Sequence, residues 1–299
     1  MLKSARRRLL ACLLGAWALT LCPAIYVSAT EHPGQSTHPA TLKAASVATP
    51  DIPYMEYEFQ VEQDLLQLAN QSRQRAGASS LVLDEGLSAA ARSHAQAMLE
   101  AHQLSHQFSA EPTLMLRLAA TSTLQLDRAA ENVALDYSAQ GGHEHLMLSP
   151  PHRANLLNPA YNVVGLGVVR SGDRLYIVQD FAHALPKYSA DEVKRRVAEA
   201  VNQMRRQAPR PALSRHDLRN ADEVACSMAQ ADKLGTEPVR QLTQRFTVLI
   251  YTSLHPEALP PRASHAIRSP NLRSFSVGAC YSRTVSYPTG VYWLVLSLD

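Results

Sequence analysis

The chain is poor in charge, and its charge is unevenly placed. Asp, Glu, Lys and Arg make up 18% of 299 residues. The net charge is +3, and Lys3, Arg6, Arg7 and Arg8 are the only charges of residues 1–29, so the remainder is slightly negative. No block of lysine or arginine occurs beyond them, which leaves no electrostatic footprint for nucleic acid and excludes that partner class. No Gly-x-Ser-x-Gly elbow and no phosphate-binding glycine loop is present. His143-Glu144 opens like a zincin helix, but the position that needs the second histidine is Met147. After the first thirty residues no stretch is apolar enough to span a bilayer. What remains is a folded protein: 46% hydrophobic residues rule out wholesale disorder, a collagen-like fibre and a coiled coil. The length suits about two domains of ~150 residues.

The first thirty residues read as an address. A basic start runs into an apolar stretch from Leu9 to Val27 and ends at Val27-Ser28-Ala29, small residues placed as a signal peptidase needs them. Cleavage is expected after Ala29, giving a secreted or periplasmic protein with no transmembrane anchor in the mature chain. An uncleaved anchor is the alternative, opposed by Pro23 and the small-residue exit. A lipoprotein form through Cys22 is opposed by the bulky Leu21. Of four cysteines, only Cys226 and Cys280 outlast this leader, and in an oxidising compartment two cysteines invite one disulfide. Two separate buried thiols are the other possibility.

Residues 30–57, with Pro33, Pro39, Pro50 and Pro53 among Ser, Thr and Ala, read as a flexible linker. From Val61 an amphipathic pattern places Val61, Leu65, Leu68 and Ser72 on one helical face, ended by Gly77. Asp84 fits the N-cap of a second helix with the face Leu87, Ala91, His94, Met98 and Ala101. A shorter helix is expected over Leu114–Ala120. Ser149-Pro150-Pro151 reads as a helix start, with proline at the first helical position. Asn162–Arg170 and Leu175–His183 are β-rich and joined by the turn Ser171-Gly172-Asp173. Helices first and hairpin last imply an α+β layered domain.

The stretch from 193 repeats this order. Sliding residues 61–98 by 132 positions pairs Asn70 with Asn202, Arg73 with Arg205 and Leu81 with Leu213, among eight identities in 38 positions. Pro150-Pro151-His152-Arg153-Ala154 finds an echo in Pro260-Pro261-Arg262-Ala263, and Asn158-Pro159 through Val164-Gly165 in Ser269-Pro270 through Val277-Gly278. Three matches in the same order point to an internal duplication, with domains at 58–186 and 187–299. This register puts Cys226 at the position of His94, Cys280 at that of Gly167, and Arg245-Phe246-Thr247-Val248 at that of Ala130–Val133. The second copy thereby lacks the acid and the histidine of the first.

Six of the twelve histidines lie between His94 and His152. Three groups stand in recognisable contexts: Leu104-Ser105-His106, Ala130-Glu131-Asn132-Val133-Ala134, and Ser149-Pro150-Pro151-His152-Arg153-Ala154-Asn155-Leu156-Leu157-Asn158-Pro159. With Leu68–Arg73, Ala90–Met98 and Val164-Gly165-Leu166-Gly167-Val168, they resemble a bacterial member of the CAP superfamily (cysteine-rich secretory proteins, antigen 5, pathogenesis-related 1; the SCP domain) over residues 60–185. The resemblance implies a three-layer α-β-α sandwich and a solvent-reachable pocket holding His106, Glu131 and His152. Ala130 replaces the usual glycine, with a shift expected in a loop carrying Glu131, and Leu146 replaces a tryptophan. The family's second acidic residue has no clear counterpart; Ser149 and Glu144 stand nearest.

Other residues take plainer readings. His94 is expected in the core. His102 stands four before His106, but the helix is expected to end near Leu104. His143 and His145 are expected exposed in a polar Gly-Gly loop. Asn132 and Arg153 are expected to be structural, fixing the loop and pairing with a carboxylate. His106 and His152 with a carboxylate could hold Zn²⁺, and the same three groups could act as general acid and base. Three classes stay open: a module binding a small apolar or lipid-like ligand or an envelope or host partner, a hydrolase of peptide or cell-envelope material, and an interaction protein with a vestigial pocket.

Overall fold

The computed structural model describes residues 57–218 and 220–299; the leader at 1–29 and all but the last residue of the expected linker lie outside them. Residues from 57 onward pack as one unit. Among the described residues no helix is long and apolar enough to cross a membrane.

The first half runs α1 (Phe59–Arg75), β1 (Val82–Leu83), α2 (Glu85–Ala101), α3 (Leu114–Thr121), β2 (Gln125–Asp136), α4 (Ala139–Leu148), α5 (Pro150–Leu157), β3 (Val163–Ser171) and β4 (Arg174–Leu185). Its sheet has the order β1-β3-β4-β2, with β1 parallel to β3 and the remaining pairs antiparallel. Strand alternation sends Val164, Leu166 and Phe181 to one face, against Leu65, Ala69, Leu146 and Leu156 of α1, α4 and α5. Val133, Tyr176 and Val178 face α2 on the other side. The result is three layers, α-β-α. Asp84 starts α2 as expected, its Oδ1 accepting from the Leu87 N–H at 2.8 Å. Gly165 and Gly167 let α2 lie close, because a Cβ at either would collide with the Leu87 or Ala91 backbone.

Residues 139–148 depart from the expected loop. They form α4, capped by Ser138, whose Oγ accepts from the Gly141 N–H at 3.1 Å. The glycines serve close packing, since a Cβ at Gly141 would strike Asp136 and one at Gly142 would strike Ile177.

The second half runs α6 (Ala190–Gln207), β5 (Ser214–Arg215), α7 (Ala221–Gln230), α8 (Arg240–Thr243), β6 (Thr247–Ser253), α9 (Ala263–Ile267), β7 (Ser274–Ser282) and β8 (Val291–Leu298). Its sheet order is β5-β7-β8-β6, with the same single parallel pair at one edge. Here too one face packs on α6 and α9 and the other on α7 and α8.

Several side-chain arrangements occur in both halves. Asn70 clasps Leu81, donating to its carbonyl at 3.1 Å and accepting from its N–H at 2.7 Å. Asn202 clasps Leu213 in the same way, at 3.3 and 2.8 Å. Arg73, fully buried, donates to the carbonyls of Ser79, Leu156, Asn158 and Tyr161, each within 2.8–2.9 Å. Arg205, also buried, donates to those of Pro211, Ile267 and Ser269 at 2.6–2.9 Å. Carbonyl bonds to each guanidinium offset the cost of burying its charge. Arg92 pairs with Glu62 at 2.6 Å, and Glu62 also accepts from the Val168 N–H at 3.2 Å. Lys194 pairs with Asp222 at 2.5 Å, and Asp222 accepts from the Ala279 N–H at 2.9 Å. The signs are exchanged between the helices, while the carboxylate keeps its bond to the sheet.

These arrangements correct the sequence register. The shift of 132 holds from α1 through β1, but the α2 and α7 helices match with a shift two shorter. Arg92 then meets Asp222, Met98 meets the equally buried Met228, and the left-handed C-cap His102 (φ 49°) meets Asp232 (φ 48°). Cys226 therefore stands opposite Gln96 rather than His94, and by the strand ladders Cys280 opposite Val169 rather than Gly167. The ladders likewise put Val248, not Phe246, at the position of Glu131, and Ala263, not Arg262, at that of His152. The expected disulfide is present: Cys226 on α7 joins Cys280 on β7, with Cα atoms 5.1 Å apart.

Candidate functional site

Glu131 lies within β2, not in a loop, directly opposite Asp180 of β4. Its side chain faces the α2 layer and is 8% exposed. His106, in the segment after α2, brings Nδ1 to Glu131 Oε1 at 2.9 Å. Arg117 of α3 pairs with the other Glu131 oxygen and holds Glu111 at 3.0 Å. Glu111 reaches His94 Nδ1 at 2.8 Å, and His94 Nε2 meets the Ser105 carbonyl at 2.8 Å. A chain of hydrogen-bonded and paired groups, His94, Glu111, Arg117, Glu131 and His106, thus runs from the core histidine to the surface histidine. The second acid of this network is Glu111, and neither Ser149 nor Glu144 takes that part.

His152 arrives from α5. Asn132, fully buried, donates to the His152 carbonyl at 3.1 Å, and Asn155 donates to Asn132 Oδ1 at 3.0 Å and to the Glu131 carbonyl at 3.3 Å. These bonds tie the start of α5 to the edge strand and bring the His106 and His152 rings to a centroid separation of 6.3 Å. Burial, and then the repulsion of His106, hold the His152 pKa below its ordinary value. The His106 side chain is 58% exposed, so it is the reachable member of the group.

Asp180 is completely buried, and neither of its oxygens meets a donor among the described residues. Burial and the facing Glu131 charge raise its pKa well above the ordinary carboxylate value. Two carboxylates opposite one another on adjacent strands cannot both ionise cheaply. A protonated Asp180 resolves this, because it can donate its own proton toward Glu131.

Sequence reasoning missed Glu111, Arg117 and Asp180, which stand outside the quoted motifs. It also misplaced two groups. Arg153 is exposed and donates to the Met147 carbonyl at 3.4 Å rather than to a carboxylate. His143 is buried in the groove between α1 and α4, its Nε2 2.9 Å from Ser72 Oγ, because the helical turn at Gly142 rotates it inward. His145 is exposed as expected, yet pairs with Asp136 at 2.5 Å.

Residues 66–181 match the CAP family, described as the cysteine-rich secretory protein family, and the chain thus carries a CAP domain. The YkwD protein of Bacillus subtilis, itself uncharacterised, is 33% identical over 117 residues, 37% of this chain. The chain spans 43% of that relative's length. Among solved structures, an extracellular SCP-domain protein of Bacillus anthracis is 26% identical, covering 42% of this chain and 41% of its own, with a TM-score of 0.38. Na-ASP-1 is 9% identical and covers 80% of this chain and 89% of its own, with a TM-score of 0.41.

Proposed function

We propose that the chain is an extracytoplasmic binding protein whose CAP domain presents His106 and His152 to a small apolar or lipid-like ligand, or to a component of the cell envelope or of a host surface. The carrying observation is that both Glu131 oxygens are spent, one on His106 and one on Arg117, in a carboxylate almost wholly buried. A general base must reach its substrate's proton; this one is a strut that fixes His106. Leu104, two residues before His106, and Leu148, four before His152, are exposed large apolar side chains, which suits an apolar partner. The disulfide and the signal-like leader support a place outside the cytoplasm. Residues 187–299 are, in this reading, a degenerate second copy that kept the asparagine and arginine clasps and lost the imidazoles and the acid.

A resident Zn²⁺ fits poorly. Catalytic zinc takes three protein ligands, and among the described residues no three His, Cys, Asp or Glu side chains converge as a metal group. Two measurements test the reading. Extraction and mass spectrometry of the purified protein should yield a lipid-like ligand that the His106→Ala/His152→Ala variant no longer carries. Calorimetry with Zn²⁺ should give no micromolar binding. Ligand-free protein with tight zinc binding lost in the double variant would reverse the conclusion.

A further inference from the structure

α2 begins at Glu85, but α7 begins only at Ala221, the position that answers Ala91. In the first half the extra turn and a half of helix lies over Gly165. In the second half, among the described residues, no helical turn takes that place, and a cavity of about 220 Å³ lies against the sheet, lined by His216, Leu218, Arg245, Phe246, Ser276 and Ser297, with Ser274 and Asp299 beside them. Ser276 and Ser297 stand opposite one another on β7 and β8. Their side chains share the face of Gly278 and Val295, which pack on α7. Both serines are at least 97% buried, and neither hydroxyl has a hydrogen-bond partner among the described residues. Buried hydroxyls are nearly always satisfied. Two unpartnered ones side by side on the floor of a cavity point to a group that fills it.

We infer that this cavity is a second binding site, separate from the imidazole pair, for a small uncharged ring compound carrying a hydroxyl. A serine hydroxyl both donates and accepts, so a ligand hydroxyl can satisfy the pair at once. Phe246 and Leu218 offer apolar walls to the ring. Charges of both signs at the mouth, Arg245 against Asp299, favour no net charge on the ligand. A cavity of about 220 Å³ has room for one phenol-sized molecule. The sequence positions fit this history: Ser297 answers Asp180 and Ser276 answers Gly165, so hydroxyls stand where the first half has a carboxyl and a bare backbone.

Fluorine NMR on the full chain tests it with 4-fluorophenol, fluorobenzene and 4-fluorobenzoate. The phenol should bind at least tenfold more tightly than fluorobenzene, since a site built to bond a hydroxyl rejects the analogue that lacks one. It should also exceed the benzoate. In Ser276→Ala/Ser297→Ala the phenol should fall to the level of fluorobenzene, while His106→Ala should change nothing. Should the double variant fail to fold, Ser297→Ala alone should lose at least threefold. Equal binding of phenol and fluorobenzene to the native protein, or phenol binding unaltered by the serine variants, would overturn the assignment.

Discussion

The two halves have the same framework and opposite chemistry. Each has one short parallel strand, two antiparallel ladders, an asparagine clasp and a buried arginine bonded to carbonyls. Where the first half places titratable groups, the second has none at the same positions: Val248 answers Glu131, Ser297 answers Asp180, and Ala263 answers His152. Where the second spends a covalent bond, Cys226 to Cys280, the first has Gln96 and Val169. The framework is thus compatible with either a charged site or a stapled core, which separates what holds the layers together from what the face can do.

The arginine clasps put that separation to its hardest test. Arg73→Met removes a donor from four carbonyls, two of the bonds buried and two part-buried, and should cost about 3 kcal/mol in denaturant unfolding, at ~1 kcal/mol for each buried acceptor and less for the others. Arg205→Met removes a donor from three, one of the bonds buried and two part-buried, and should cost about 2 kcal/mol on the same scale. A cost below about 1 kcal/mol for Arg205 would mean that the second arginine is not the structural equivalent of the first.

Next comes the staple. Cys226→Ala/Cys280→Ala should cost about 2–4 kcal/mol, by the loop-closure estimate for a long loop. In amide exchange the loss of protection should be concentrated in β7 and β8 and leave β3 and β4 nearly unchanged. Equal loosening of both sheets would show that the halves unfold as one unit and that the staple supports the whole.

How much of this was legible in the sequence follows from range. The elements were legible because their causes are local: a cap at Asp84, proline at the first position of α5, a turn at Gly172. Motif order carried His106, Glu131 and His152. Glu111, Arg117 and Asp180 were illegible, because what joins them to the site is packing between a helix, a connecting segment and two strands. Gly141 and Gly142 misled, since glycine here answers a close approach by Asp136 and Ile177 and reads in sequence as a breaker. The two-residue slip in the register comes from a connection between β5 and α7 that is two residues shorter than the stretch it matches in the first half, and a single sliding offset cannot represent that difference.

A double-mutant cycle on the exchanged ion pairs should separate the halves further. Glu62 and Arg92 are mostly buried and bonded through two atoms of the guanidinium, so their coupling should be about 1.5–3 kcal/mol. Lys194 and Asp222 join through one ammonium, with the Asp222 side chain 44% exposed, and should couple by less than about 1 kcal/mol. Comparable values would mean that the sheet N–H bonded to each carboxylate, common to both, dominates the pair.

The smallest effect concerns the imidazoles, which only the first half has at this position. His152 is held below the ordinary value of 6.5 by burial first and by His106 second. A base whose folded pKa is lowered favours the fold while neutral, so its contribution is complete above about pH 6.5 and declines as the pH falls through that value. His106→Ala removes the lesser cause and leaves burial in place. NMR titration should therefore move the His152 pKa up by the lesser part of its displacement, still short of the ordinary value. The amides around Ala263 in the second half should not respond to this variant. A full return of His152 to its ordinary value would instead mean that the His106 charge, and not burial, governs the site, and that the pair senses any ligand that neutralises or displaces one ring.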